Sequence, residues 1–428
     1  MFIQIHMLQS MPPGNLNRDE TGQPKKCIFG GVTRGRISSQ CLKRSIRRSE
    51  HFKTAFGDAL ADRTTYLPRM VADILREESG ADIPDGELDL LMTAIASRFK
   101  KEKSQKQPEE PEEENAPEAE TSSPVPGGTG QTAQLVFFPP PFAAAIAKLI
   151  SAFRRTDLRA YQHFIGTLTP KPKKDEKKLL DEKVNELLRD IAKASNSLTV
   201  DIGLFGRMTT SDLVVNVEAA CQVAHAISTH ETVIESDYFT AMDDRKANYT
   251  TNQVEKAGAA FLGSGETETF YNASVYYKYL NLDLDALKTH LNLNGQAWPD
   301  SEAAKAVGAL LTAAALANPS GKQNSFASHG IPEVILVELS NVKRPISYAN
   351  AFLQAVEGPN HLTCSADALK TYVEAVTPAF APPDTERYLL AVGHAKTTIG
   401  GTTPVETLDK LVEAVSKASV APRAETTA

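Results

Sequence analysis

"FIQIHMLQS", residues 2–10, alternates its side chains over the length of a strand and leaves neither face strongly polar. Phe2, Gln4, His6 and Leu8 fall on one side, and Ile3, Ile5 and Met7 on the other. Such a pattern predicts an interior strand beginning at the start of the chain. "TFYNASVYYKYLNLDL", residues 269–284, and "EVILVELSN", residues 333–341, are dense in β-formers and read as further strands. Between them "SEAAKAVGALLTAAALA", residues 301–317, reads as a helix. Strands early, midway and late in the chain, with helices between, predict an α+β fold.

Outward from these strands, residues 55–100 and 142–200 are rich in Ala, Leu, Arg, Lys and Glu and read as a helical block inserted into the sheet. Inside it, residues 101–132 are acidic, proline-rich and almost free of apolar side chains. No burial offsets the ordering entropy of such a segment, so a mobile linker is expected. "PKPKKDEKKLLDEK", residues 170–183, reads as an exposed loop and helix start. From residue 201 the reading is a short apolar piece, a Gly-Arg-Met turn, a break at Thr-Thr-Ser-Asp and then an Ala-rich helix. The final dozen residues read as a frayed tail.

The 428 residues suffice for two or three ordinary domains, or for one domain with large insertions. Four widely spaced cysteines, with no C-x-x-C pair, argue against a disulfide framework or zinc site and for a reducing cytoplasm. The N-terminus lacks the charged and long apolar regions of a signal peptide. No window approaches the roughly 18 uninterrupted apolar residues of a membrane span. A soluble cytoplasmic protein with no membrane partner is expected.

The net charge of −7 is unevenly spread. From Arg18 to Lys53 there are ten Lys/Arg against three acids, whereas much of the compensating acid lies near residues 109–120. A local basic surface is the footprint of a polyanion-binding protein. Its densest part is "RGRISSQCLKRSIRRSE", residues 34–50. Ser38 or Ser39 is placed to cap a helix that turns Leu42 and Ile46 inward. On it Lys43 and Arg47 stack one turn apart, as do Arg44 and Arg48, a mildly destabilising arrangement unless an anion lies between them. Helix N-termini favour phosphate, and Arg binds it through paired hydrogen bonds. By charge alone the helix reads equally well as a solvated face. Arg18, Lys25, Lys26, Arg34 and Arg36, just upstream in a Gly-rich loop, favour the phosphate reading.

"LNRDETGQPKKCIFGGVTRGRISSQCLKRSIRRS", residues 16–49, resembles the N-terminal signature of the CasC family, the repeated guide-RNA-binding backbone subunit of the type I-E CRISPR surveillance complex, Cascade. "GRM", "VAHAISTHETVIESDYFTAMDD", "GAAFLGSGETETFYNASVYYKYLNLDL" and "SYANAFLQAV" follow in the family's order. The resemblance omits residues 101–132 and those after about 365. It implies an RRM-like (ferredoxin-like) palm with an inserted helical finger domain and a thumb protrusion. The palm's first part would be residues 1–54, the finger insertion 55–200, a palm strand and the thumb region 201–245, and the palm's second part 246–364. A C-terminal region, 365–428, completes the chain.

In function the resemblance implies copies that self-associate as a filament along CRISPR guide RNA with other Cascade subunits, while exposed bases pair with target DNA. Such a task needs a non-specific grip on phosphate. Carried over residue by residue, Arg18, Ser38, Ser39, Gln40, Lys43 and Arg47 should contact RNA, with Arg34, Arg36, Lys25 and Lys26 in support and Arg44 and Arg207 alongside. Lys322 and Gln323, in "KQNSF", match a loop that approaches RNA. The thumb would lie near Gly206–Val217, with Met208, Leu213 or Val214 as the wedge between bases. For each of those three, ordinary packing is the competing reading.

No catalytic residue, metal or cofactor is expected. His225 and His230 are five apart, unlike the i, i+4 pair of a zinc helix, and read as one packed and one surface or hydrogen-bonded histidine. Asp243–Asp244 and Glu235/Asp237 lack a further ligand pattern. No P-loop, G-x-S-x-G or dinucleotide fingerprint is present. The competing readings are a metal-dependent ribonuclease using Asp19, and an assembly subunit whose basic patch meets an acidic partner protein. In the type I-E branch Asp19 would be structural or an Arg18 partner.

Overall fold

The computed structural model describes residues 1–79, 83–97, 99, 130–168, 198–209, 214–238, 268–292 and 296–422. Two compact units result. One holds residues 1–55, 221–285 and 299–428; the other holds 56–220 and 286–298.

The first unit is built on β1 (Phe2–Gly14), the expected interior strand. It lies antiparallel between β9 (Glu268–Asp283) and β10 (Pro332–Ser340). Beyond β10 come β11 (Glu386–Ala391) and, parallel to it, β12 (Thr403–Val405). On the other side β9 pairs with β6 (Cys221–Val223), β7 (Ala226–Ser228) and β8 (Glu235–Tyr238). β7 continues into β3 (Val32–Ile37) and β2 (Lys26–Phe29). The region after residue 365, outside the family resemblance, thus extends the sheet.

Both faces of β1 are covered, which is why its sequence lacks a polar side. The face carrying Ile3, Ile5 and Met7 lies under α9 (Asp300–Leu316). There Lys278, the cross-strand neighbour of Met7, donates from Nζ to Ala314 O at 2.7 Å. Burial brings the Lys278 amine down to about 7. α12 (Leu408–Val420) packs beside α9. On the opposite face Leu8, Tyr277, Tyr279 and Leu336 pack with Leu369 and Val373 of α11 (His361–Phe380).

The polar side chains of that face are all engaged. Gln4 Oε1 accepts from Tyr279 Oη at 2.8 Å and from Ile346 N at 2.7 Å. His6 Nδ1 meets Tyr277 Oη at 2.9 Å, and its Nε2 lies 3.3 Å from Glu338, which also pairs with Arg387 at 2.6 Å. Burial acts to raise the Glu338 carboxyl, but His6 and Arg387 outweigh it and hold it at about 2.

One expected helix is absent. Residues 214–220 are not helical, and the stretch read as an Ala-rich helix instead supplies β6 and β7. Val223 pairs with Leu280 and Ile227 with Tyr277, so the long neighbour β9 overrides local alanine propensity.

The second unit is helical, as read. α3 (Leu67–Ser79), α4 (Asp85–Ser97), α5 (Pro141–Thr156) and α6 (Leu158–Thr167) enclose Leu75, Leu91, Phe142, Ile146 and Tyr161. It also carries an unanticipated two-stranded ribbon, β4 (Asp62–Thr64) with β5 (Val136–Phe138). The short apolar piece read from residue 201 forms the short helix α7 (Val200–Phe205). Its Asp201 Oδ1 accepts from Ala61 N at 3.1 Å. Of the acidic linker only 130–132 are described, with Thr132 N donating to Thr65 O at 2.8 Å. The charged run 170–183 lies outside the described residues.

Candidate nucleic-acid interface

The basic stretch folds as a hairpin followed by a helix. Gly30 and Gly31 have φ of 63° and 85° and form the two-residue turn between β2 and β3, a conformation that favours glycine. Gly30 is obligatory for a second reason: a Cβ there would lie 1.6 Å from Leu353 O. The chain then enters α1 (Ser39–Arg48), capped by Ser38, whose Oγ accepts from Cys41 N at 3.4 Å. Leu42 and Ile46 are buried, as their spacing predicts.

The Arg18 loop is tied to this helix start by one side chain. Asn17 Oδ1 accepts from Ser38 N at 2.8 Å, and Asn17 O accepts from Lys25 N at 2.8 Å. Asp19 organises the loop itself: its Oδ1 accepts from Thr21 N, Thr21 Oγ1 and Gln23 N at 2.8–3.0 Å. Slight burial acts to raise the Asp19 carboxyl. Hydrogen bonds from Thr21 and Gln23, with the Lys26 charge, outweigh it and hold the carboxyl below its ordinary value.

Around this knot Arg18, Lys26, Gln40, Arg44 and Arg48 are exposed, while Lys25, Arg36, Ser39, Lys43 and Arg47 are partly so. Arg36 also reaches His225 Nδ1 at 3.4 Å. The 318–330 loop lies against the same corner, since a Cβ on Gly321 would sit 2.5 Å from Leu16 O. Lys322 starts its short helix, α10 (Gln323–Phe326), with φ of 50°.

Several site expectations need correction. Arg34 is 0% exposed and its guanidinium donates to Phe29 O at 3.2 Å, Ser228 O at 3.0 Å and Phe352 O at 2.8 Å. It fastens the hairpin to β7 and cannot reach a phosphate. Arg207 is likewise consumed: it donates to Val215 O at 2.9 and 3.0 Å and to Phe137 O at 3.3 Å. Its backbone also exchanges both hydrogen bonds with Val217 as an isolated antiparallel bridge. Ser38 is buried as the helix cap, leaving its hydroxyl occupied. The Gln323 amide donates inside its own loop, to Pro319 O and Ser328 O. Val214 is 5% exposed within the helical core, whereas Met208 is 92% exposed. Leu213 lies outside the described residues, as do Asp243 and Asp244.

The histidines serve packing. His230 donates from Nδ1 to Glu231 O at 2.7 Å and accepts at Nε2 from Val275 N at 3.1 Å. Its ring stacks on His361 at 4.0 Å. Among the described residues no three His, Cys, Asp or Glu side chains converge as a metal site requires. No helix there is long and apolar enough to cross a membrane.

Residues missed by sequence reading are Asn17 and Gly321, which place the loops that carry the cations. Asn17, inside the quoted "LNRD", was the available signal.

A family match decides the affiliation: the CT1975-like protein family covers residues 3–414. The chain belongs to that family. Two solved structures agree with it in fold. "CRISPR RNA-guided surveillance complex, pre-nicking" is 26% identical, with a TM-score of 0.73, over 98% of this chain and 100% of that one. "CRISPR RNA-guided surveillance complex" is 24% identical, with a TM-score of 0.65 and the same coverage. None of the curated proteins matches. The CasC resemblance read at residues 16–49 is borne out by the CT1975-like assignment and these structures.

Proposed function

We propose that the chain is a structural subunit that polymerises along CRISPR guide RNA in a type I-E Cascade complex. It holds the phosphate backbone while the guide's bases pair with target DNA. The sheet unit serves as the RRM-like palm and the helical unit as the finger domain. Met208, next to the Arg207–Val217 bridge, is the exposed wedge candidate of the thumb. The observation that carries this reading is the Asn17–Ser38 hydrogen bond. It sets the Arg18 loop against the start of a helix whose only charges are basic, the end at which the helix dipole favours phosphate.

The subunit works without catalysis. Asp19 spends one carboxylate oxygen on three hydrogen bonds that shape its own loop, a role that supports a structural assignment. Partners are the guide RNA, further copies of the chain, other Cascade subunits and, through the guide, target DNA.

The test is purification from the host with the neighbouring gene products, followed by sequencing of co-eluting RNA. Discrete short RNAs with repeat-derived ends, lost on Lys43→Glu with Arg47→Glu, are expected. Nucleic-acid-free protein, unchanged by that pair of substitutions, would sink the reading.

A further inference from the structure

His230 and His361 stack on each other, but His225 stands at the knot that holds the Arg18 loop. β3 and β7 pair at Arg36–Ile227 and Ile37–Ala226, so the next position along sets His225 across from Ser38. Lys25 is brought to the same place. Its N–H bonds Asn17 O, and its own carbonyl accepts from Arg36 N, each at 2.8 Å. Lys25, Arg36 and His225 are all partly exposed. Arg36 Nη1 donates to His225 Nδ1 at 3.4 Å. A guanidinium cannot accept, so the imidazole in this contact is neutral and carries its proton on Nε2. Arg36 Nε is buried with no hydrogen-bond partner, so part of the guanidinium fork is idle.

The groups around this cluster are cationic or neutral. Burial first, then the Arg36 and Lys25 charges, hold the His225 pKa below the ordinary histidine value. Among the described residues no carboxylate pairs with Lys25 or Arg36, and Asp19 feels Lys26 instead. The Cys27 thiol, close to Arg36, is raised by burial and stays protonated. On β9, Tyr277 and Tyr279 are raised by burial, and the Lys278 amine is spent on Ala314 O. From α1 the Lys43 charge reaches Cys221, four residues before His225. Such a cluster lacks only its anion.

We infer that His225 is a proton-coupled phosphate ligand, taking a proton from solvent at Nδ1 as an RNA phosphate enters between it, Lys25 and Arg36. This rests on the scaffold reading above and assigns a proton linkage to its RNA site. The exchange balances. The Arg36 Nη1–H···Nδ1 bond breaks, solvent supplies one proton to Nδ1, and the new N–H donates to a phosphate oxygen. Arg36, released from the imidazole, turns Nε and Nη1 onto the anion as paired donors. Without the anion, a proton on Nδ1 would face two cations, so the free protein excludes it. The complex holds more protons than the free protein, so RNA affinity rises as pH falls, by up to about tenfold per pH unit.

The test uses the full chain and oligouridylate, whose bases do not titrate in mild acid. Calorimetric titration near pH 6.5, in two buffers of unequal ionisation heat, counts the protons taken up. Wild type should take up a large fraction of one proton per copy. His225→Gln, which offers Arg36 an acceptor that does not titrate, should lose that uptake and the pH dependence of affinity. It should bind about threefold or more weakly than wild type in mild acid, the two converging as the pH rises. No uptake by wild type, or equal uptake by His225→Gln, overturns the assignment. If wild type binds no oligouridylate at any pH, the scaffold reading falls. The ligand role is then judged by inorganic sulfate, a phosphate-sized anion that does not titrate in this range. Followed by nuclear magnetic resonance in the unmutated chain, sulfate must raise the His225 imidazole pKa above its value in chloride of equal ionic strength. An unmoved imidazole overturns that role as well.

Discussion

Asn17 Oδ1 accepts the backbone N–H of Ser38 at 2.8 Å, so a single amide side chain holds the Arg18 loop to the start of the basic helix. Removing it by Asn17→Ala leaves that N–H without its partner and frees the loop. A stability loss of about 1–2 kcal/mol is expected, together with weaker RNA binding. Urea unfolding and a binding titration on the same preparation check both effects.

The interface cation Lys43 and the buried cation Arg34 separate by salt dependence. Lys43→Ala should lower the slope of log affinity against log salt by about 0.7, one phosphate's worth on a single strand. Arg34→Lys should leave that slope unchanged while costing about 2–4 kcal/mol, because a lysine cannot span the three carbonyls that Arg34 joins. Equal salt slopes for Lys43→Ala and wild type would remove Lys43 from the interface.

Val214 and Met208 make an opposed pair six residues apart. Val214→Ala empties part of the helical core and should cost about 1.5–3 kcal/mol, read as a lower melting temperature. Met208→Ala, at a fully exposed position, should leave melting within about 0.5 kcal/mol. Its effect should appear instead in the chemical reactivity of bound RNA at regular intervals.

Lys278 gives stability an alkaline dependence. The unfolded chain releases this proton near 10.5, the folded chain near 7. Between these values the unfolded state holds the extra proton, so stability should rise with pH, by up to about 1.4 kcal/mol per unit. Unfolding midpoints at pH 7, 8 and 9 measure the rise, and Lys278→Met should flatten it.

His230 acts in the opposite range. Burial first, then the neighbouring His361 and Arg34 charges, lower its pKa below the ordinary histidine value, against the raising effect of Glu231 O. Above the unfolded value its contribution is intact. As the pH falls below that value the unfolded chain gains a proton first, and stability drops. Protonation also turns Nε2 into a donor facing the Val275 N–H. Faster amide exchange at Val275 in mild acid, absent in His230→Gln, is the expected signature.

Periodicity carried much of the fold. Ile3, Ile5 and Met7 against Gln4 and His6 announced a strand with two covered faces, and Leu42 with Ile46 announced the inward side of α1. β6 and β7 were illegible because Cys221–Ser228 is alanine-rich and becomes sheet only through its pairing with β9, about fifty residues later. Arg34 and Arg36 look alike in sequence. What separates them is the packing of the hairpin on Ser228 and Phe352, contacts no local pattern encodes. The C-terminal strands β11 and β12 fell outside the recognised signature, yet they follow the same edge-to-edge pairing.

The central position of β1 has a consequence for synthesis. Its partner β9 begins 254 residues after β1 ends (268 − 14), and β10 later still. At 5–20 residues per second a ribosome takes about 13–50 s to supply that first neighbour. Throughout that interval a strand with no strongly polar face waits unpaired, the kind of segment that aggregates or recruits a chaperone. The helical unit, encoded almost wholly in between, completes its own core meanwhile. Ribosome profiling with captured chaperones should therefore show occupancy that begins once residues 2–14 emerge and ends only after residue 340.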